Sequence, residues 1–220
     1  MTGHELCAVA HELGFWKGFV KTDRFLKGWV ADIPTPELHK ETKDLILAEL
    51  NRKPNGLVMD VGSGVVSILN GTVPKGSLFP VDPLSPLYEL IFDYHQYRIR
   101  PPYPYGAEEV GTYFHTGFQV VHISNALDHC QDPFEAMVQM RKVLVPGGLL
   151  IVCGFVNEST HMGGAGLHQW DIALEGEQLT IRYGRDGSCL ASFMGETAIT
   201  KKLSIDGRDW LIWTERKPLE

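Results

Sequence analysis

Basic residues are in short supply, with 20 Lys and Arg against 27 Asp and Glu and a formal net charge of −7. Duplex nucleic-acid binding draws on concentrated Lys and Arg, so the balance argues against such a partner while leaving room for a local basic pocket. No apolar run reaches the ~20 residues of a membrane span. The first residues are broken by His4, Glu5, His11 and Glu12, which a secretory signal does not carry. Cysteine is sparse too: Cys7, Cys130, Cys153 and Cys189 are scattered with no C-x-x-C, as expected of reduced thiols in a cytoplasmic protein. Repeats and low-complexity stretches are missing. These absences leave a soluble cytoplasmic protein, a monomer or homodimer, with neither membrane nor nucleic acid as partner. What is present fits that reading. With 44% hydrophobic and 21% charged residues over 220 positions, the chain can bury the core of one α/β domain with an extension.

The most informative stretch is Gly56-Leu57-Val58-Met59-Asp60-Val61-Gly62-Ser63-Gly64-Val65-Val66. Leu57 to Val61 reads as a short buried strand interrupted by one acid. Gly62-Ser63-Gly64 then makes a tight turn, and Val65 to Leu69 is expected to begin a short helix. A strand, a glycine turn and a helix start together shape a nucleotide site, because the backbone can approach the ligand with its N–H groups free. A second strand is expected from Ser77 to Val81, ending in Asp82. An acid about 20 residues past the glycine turn is where a ribose is held, since a carboxylate accepts hydrogen bonds from both hydroxyls.

Upstream, residues 1–35 read as a helical preface. Leu6, Val9, Ala10 and Leu13 recur at helical spacing, followed by Phe15, Trp16 and Phe19. Packing against the domain edge and closing over a pocket as a lid are both compatible with that pattern. Thr35-Pro36 then caps a helix carrying Leu38, Leu45, Ile46 and Leu50 on one side. Downstream, Phe118 to Ile123 is a buried strand ending in the polar run Ser124 to Asp132, where an α/β fold places chemistry. Asp132-Pro133 opens an amphipathic helix with Phe134, Met137, Val138, Met140, Val143 and Leu144, which stops at Pro146-Gly147-Gly148. Leu149 to Val152 is another apolar strand. Residues 156–170 show no periodicity. Leu179–Tyr183, Cys189–Phe193, Ile199–Ile205 and Trp210–Thr214 read as strands separated by Gly-Arg-Asp-Gly and Asp-Gly-Arg-Asp turns.

Three motifs together resemble the class I, Rossmann-like S-adenosylmethionine-dependent methyltransferases of the small-molecule type (methyltransferase type 11/12-like). They are Val58-Met59-Asp60-Val61-Gly62-Ser63-Gly64, then Asp82, then Asn125-Ala126-Leu127-Asp128-His129 with Asp132-Pro133 and Leu144-Val145-Pro146-Gly147-Gly148. The third is the most specific, since dinucleotide enzymes also use glycine turns. The resemblance covers roughly residues 40–155. It implies an α/β three-layer sandwich with a seven-stranded, mostly parallel sheet in the order 3-2-1-4-5-7-6, ending in antiparallel C-terminal strands. A Rossmann-like domain over 36–220 would follow the N-terminal extension.

The same resemblance implies S-adenosyl-L-methionine as cofactor. Gly62, Ser63 and Gly64 would pass its methionine part, Asp60 would help hold the amino group and Asp82 the ribose. Pro83 and Leu84 would flank the adenine together with Ala107 and Glu108, and Ser124 and Asn125 would border cofactor and acceptor. Two departures stand out: Val66 replaces a frequent third glycine, and Gly106-Ala107-Glu108-Glu109 replaces the usual Gly-Asp-Ala-Glu. Transfer to an oxygen or nitrogen of a small-molecule or sugar-like acceptor is the expected reaction, with His129 or His168 as general base. Trp16, His161, Trp170 and Tyr103 are expected at the acceptor. Each of these has a structural alternative, as a loop-fixing histidine or a packed ring. No metal is expected: His161, His168 and Asp171 fit no zinc spacing, and magnesium prefers carboxylates and water. Ser124-Asn125-Ala126-Leu127 also lacks the Asn/Asp-Pro-Pro-Tyr/Phe motif of amino-methylating nucleic-acid enzymes. A cofactor-binding regulator without transferase activity is the alternative. A nicotinamide dehydrogenase ranks behind it, because no Gly-x-Gly-x-x-Gly is complete.

Overall fold

The computed structural model describes residues 3–30, 37–184, 186–202 and 207–219; Thr35-Pro36 and the expected 35/36 domain boundary lie outside these. Strand alternation builds the centre. In β1 (Leu57–Val61), β3 (Phe118–Ser124) and β4 (Leu144–Phe155), Met59, Val61, Val121, Ile123, Leu150 and Val152 face one side. Val58, Val120, Leu149 and Ile151 face the other. Both faces are apolar because both are covered, as a parallel sheet requires. With β2 (Leu78–Val81), β8 (Thr197–Lys202) and β9 (Asp209–Arg216), these strands form one sheet in the order β2-β1-β3-β4-β9-β8. The first four strands run parallel, and β9 pairs antiparallel with β4 and β8.

The two faces are closed by different elements. Helix α3 (Glu37–Arg52) lays Leu38, Leu45, Ile46 and Leu50 on one. Helix α7 (Pro133–Val143) lays Ala136, Met137, Met140 and Val143 on the other. The α7 start is fixed locally, since Asp132 accepts a hydrogen bond from the Glu135 N–H at 3.0 Å and Pro133 occupies the first turn. The single turns α4 (Ser85–Tyr88), α5 (Tyr94–Tyr97) and α6 (Val110–Tyr113) and the short α8 (Glu158–Met162) connect strands. On β9, Trp210 packs toward α3 and Trp213 toward α7, both fully buried.

Among the described residues the main sheet has six strands in the order β2-β1-β3-β4-β9-β8, which corrects the expected seven in the order 3-2-1-4-5-7-6. The place beyond β2 is occupied by Arg98 to Tyr105, where Pro101, Pro102 and Pro104 supply no N–H for a ladder. Only Tyr103 pairs, donating to the Pro80 carbonyl and accepting from the Asp82 N–H, as an isolated parallel bridge to Val81. The C-terminal strands also divide. β8 and β9 end the main sheet. β6 (Gln178–Tyr183) and β7 (Cys189–Met194) instead join β5 (Trp170–Glu175) in a separate antiparallel sheet. Ile172, Leu179, Ile181 and Phe193 carry that sheet onto the α7 side of the core.

The helix expected from Val65 to Leu69 does not form; turns replace it. Both partners of its first hydrogen bond are diverted. The Val65 carbonyl accepts from the Tyr94 hydroxyl at 2.8 Å, and the Leu69 N–H is given to the Ser67 hydroxyl at 3.1 Å. The β-branched pair Val65-Val66 adds little helical propensity to resist this.

The N-terminal preface is α1 (Gly3–Phe19), then a turn capped by Thr22 that forms α2 (Asp23–Phe25) and runs into a π-turn at Leu26–Val30. Val20 and Phe25 are buried with Val65, Val66, Tyr88, Phe92 and Tyr94. The preface therefore docks on the loop after the glycine turn and on α4 and α5.

Candidate functional site

The glycine turn lies at the C-terminal edge of β1. Gly62 and Gly64 have φ of +62° and +66°, which L side chains rarely adopt, so the sequence needs glycine at both positions. Close approach adds a second reason. A Cβ on Gly62 would meet the Ala126 side chain at 2.4 Å, so this turn touches the loop leaving β3. A Cβ on Gly64 would lie 2.3 Å from the indole of Trp16, so α1 stands directly over the turn. Trp16 is held there by its N–H to Glu12 at 2.8 Å and by its edge contact with Tyr88.

Asp82 joins the turn from the end of β2. Its carboxylate accepts from the Gly64 N–H and the Leu84 N–H, each at 2.9 Å, and from Tyr88. Burial pushes its pKa up to about 6 despite those bonds, and nearby Glu12 adds to the rise. Tyr88 is itself pushed upward by burial and by the Asp82 charge. A carboxylate offers about four acceptor positions and three are taken, so one further donor can be received. Pro83 is exposed and Leu84 half-buried at the start of α4.

Asp60 is turned inward. Its Oδ1 lies 2.6 Å from His122 Nδ1, and its other oxygen accepts from the Ser67 hydroxyl. His122 Nε2 in turn lies 3.4 Å from Cys153 Sγ. Asp60, His122 and Cys153 sit on neighbouring strands and are all buried. Burial works against the charged His122; the Cys153 sulfur and the Asp60 carboxylate outweigh it and raise its pKa to about 10. Ser63 gives its N–H to Val81. Ala107 is buried in the turn Ala107–Glu109, and Glu108 accepts from the N–H groups of Gln131 and Asp132, tying that turn to the loop before α7. Ser124 ends β3. Asn125, at φ +50°, donates its N–H to Cys153 and accepts from the Phe155 N–H, clasping the ends of β3 and β4.

Beyond Asn125 the structure gathers three side chains. His168 Nδ1 lies 2.6 Å from Asp128 Oδ2 and 3.1 Å from His129 Nε2, and His129 Nε2 lies 3.6 Å from the same Asp128 oxygen. Asp128 is buried, while His129 and His168 keep 18% and 12% of their side chains exposed, so the cluster is reachable. Burial disfavours a charged His168; the hydrogen bond and charge of Asp128 overcome this, with Glu158 and Glu12 assisting, and the pKa is raised. The loop carrying His168 is fixed on both sides. The Gln169 N–H binds the Asp128 carbonyl at 3.1 Å, the Ser159 hydroxyl binds the His168 carbonyl at 3.1 Å, and the Trp170 N–H binds the Cys130 carbonyl at 2.8 Å.

The residues expected at the acceptor are thus dispersed. Trp16 covers Gly64. Trp170 anchors a loop and packs on Tyr183. His161 is exposed on α8, and no bond joins it to the cluster. The Tyr103 ring stacks on Phe79 beneath Arg100. Four members of the site went unassigned in the sequence: Glu12, Ser67, His122 and Asp128. His122 did carry a signal, as an ionisable residue inside a largely apolar strand that demands a partner; Asp60, the acid in the neighbouring run, is that partner. Asp128 adjoins His129, but its pairing with a residue 40 positions away has no local signature.

No protein-family model matches the chain, and no curated protein matches it. Solved structures match over nearly its whole length at low identity. The N-methyltransferase NodS from Bradyrhizobium japonicum in complex with S-adenosyl-L-homocysteine is 13% identical, with 94% of this chain and 98% of that one covered at a TM-score of 0.57. The 1,6-didemethyltoxoflavin-N1-methyltransferase of Burkholderia thailandensis is 18% identical over 99% and 91%, with a TM-score of 0.52. An rRNA methylase from Streptococcus thermophilus is 13% identical over 84% and 99%, with a TM-score of 0.51. The α/β fold with its mostly parallel sheet is therefore that of the class I S-adenosylmethionine-dependent methyltransferases.

Proposed function

We propose that the chain is an S-adenosylmethionine-dependent methyltransferase acting on an oxygen or nitrogen of a small-molecule or sugar-like acceptor. The observation that carries this reading is the meeting of two sites at one sheet edge. Gly62 of the cofactor turn touches Ala126, two residues before the Asp128–His129–His168 cluster. The residues of the turn fit the cofactor. The backbone is bare at Gly62 and Gly64, Asp82 retains an acceptor position for a ribose hydroxyl, and Asn125 borders the edge. The turn also lacks the helix that a pyrophosphate relies on for its N–H groups and dipole, which favours a phosphate-free nucleoside over NAD.

When bound, S-adenosylmethionine supplies an activated methyl group. The protein's task is then to position the acceptor and take its proton. His168, oriented by Asp128, is the base in this reading, with His129 beside it to share the proton. Glu12 and Trp16 belong to a lid, α1, whose closure excludes water from the turn. Acidity of the chain and the lack of a long Lys/Arg run in its sequence favour a small acceptor over RNA.

A second reading, a cofactor-binding regulator, is favoured by Trp16, since the chain's own indole stands over Gly64. Incubation with methyl-labelled S-adenosylmethionine and a panel of hydroxyl and amine acceptors, small molecules and ribosomal RNA together, separates the readings. Label entering a small acceptor supports the proposal. Label entering RNA alone, or binding with no transfer to any acceptor, contradicts it.

A further inference from the structure

The Asp128–His129–His168 cluster is hard to explain by hydrogen bonding alone. His168 Nδ1 carries at most one hydrogen, and at 2.6 Å that hydrogen belongs to Asp128 Oδ2. His129 Nε2 nevertheless sits 3.1 Å from the same nitrogen and 3.6 Å from the same oxygen. Three atoms that can each serve as a metal ligand thus lie within 3.6 Å of one another. The triangle they form is small enough for a single point to lie about 2.1 Å from all three, the length of a Zn–N or Zn–O bond.

We propose that Asp128, His129 and His168 form a binding site for one divalent transition-metal ion. Two imidazoles and one carboxylate are the donor set of zinc and of ferrous, cobalt or nickel ions, not of magnesium or calcium, which take oxygen. Three protein ligands leave positions open, and both histidines are partly exposed, so an ion can reach them. The ligands are also held in place before any ion arrives. Bonds from Gln169 to the Asp128 carbonyl and from Ser159 to the His168 carbonyl fix their backbones, and Trp170 fixes Cys130 between the two segments. Such anchoring is what a metal site needs from its surroundings. The sequence spacing, 128, 129 and 168, matches no zinc pattern because the ligands come from two loops that only the fold joins. Ion binding needs these side chains alone. The ion's use, polarising an acceptor oxygen or nitrogen in place of a proton-accepting histidine, rests on the methyltransferase reading above.

The test is a titration of the chelator-treated full chain with Zn²⁺ by calorimetry, and with Co²⁺ by visible absorption. One equivalent of each is expected, with Co²⁺ bands of nitrogen and oxygen ligation and no sulfur charge-transfer band. His168→Ala and Asp128→Ala should weaken binding by at least about 100-fold, the upper end of what removing a mere orienting neighbour costs. His115→Gln, a change to an exposed histidine elsewhere, should leave it unchanged. If either variant loses its circular dichroism spectrum, His129→Gln replaces it. No stoichiometric binding to the wild type, a thiolate spectrum, or undiminished affinity in the folded ligand variants overturns the proposal. Because the readout is ion binding, the methyltransferase reading survives that failure, and a failure of methyl transfer leaves the ion site standing.

Discussion

If Asp82 holds the ribose, cofactor affinity should depend on pH. Its pKa lies near 6 because burial disfavours the ionised carboxylate more than Gly64, Leu84 and Tyr88 favour it. If the ionised form is what receives the ribose hydroxyl, affinity for S-adenosylhomocysteine is level above pH 7 and falls about tenfold per unit well below pH 6. Asp82→Asn removes that dependence and also binds weakly. The amide oxygen can accept from only one side, while its NH₂ faces the Gly64 or Leu84 N–H as a second donor, a mismatch of about 1–3 kcal/mol. With the lost charge-assisted bond to the ligand, the variant should bind ~10–100-fold more weakly at pH 7.5. The same burial sets the stability of the ligand-free chain. A carboxylate whose folded pKa is raised costs stability above pH 6, and the cost disappears as the group protonates between pH 6 and about 4. Calorimetry with S-adenosylhomocysteine at pH 5, 6, 7 and 8 on both proteins reads the effect. A wild-type profile parallel to that of Asp82→Asn, or an Asn variant of unchanged affinity, refutes the assignment.

Three further outcomes follow from the packing of the site. Trp16→Ala uncovers Gly64 and should speed S-adenosylhomocysteine association several-fold in stopped-flow fluorescence; an unchanged rate contradicts a covering role for α1. His122→Ala leaves the buried Asp60 with only the Ser67 hydroxyl and no opposite charge, and should cost about 3–5 kcal/mol in urea unfolding at pH 6. Because the folded pKa of His122 is raised, the charge-linked part of the wild-type advantage is complete below about 6.5 and is lost as pH climbs through 10; an equal gap at pH 6 and pH 10.5 refutes the pairing. His168→Ala should lower turnover ~10²–10⁴-fold while leaving S-adenosylhomocysteine affinity intact. In the chelator-treated wild type, where His168 is free to act as base, the rising limb of kcat should have its midpoint above 6.5, since the hydrogen bond and charge of Asp128 raise the pKa of His168; a midpoint at or below 6.5 argues for a different base.

The parallel sheet and its two covering helices were legible because apolar runs and helical stripes are local signals. Met137 and Met140, one helical turn apart, declare the buried face of α7, and Val120 and Val121 declare a strand buried on both sides. The short helix after Gly64 misled because its fate depends on Tyr94 and Ser67, whose hydroxyls capture the groups a helix would have joined. The seventh strand misled because family order says nothing about three prolines in Arg98 to Tyr105. Within the site, Gly62, Gly64 and Asp82 could be read directly, each being a residue type that few other roles demand. Asp128 with His168, and Trp16 with Gly64, could not. Their contacts span long stretches of chain and are made by tertiary packing of segments that have no periodicity of their own.

What the glycine turn holds decides between the readings. Titration calorimetry of the full chain with S-adenosylmethionine, S-adenosylhomocysteine and NAD at pH 7.5 asks this without needing the acceptor. Saturable binding of one equivalent of each sulfur nucleoside, and none of NAD, is the predicted result. Binding of NAD with neither sulfur nucleoside would contradict it.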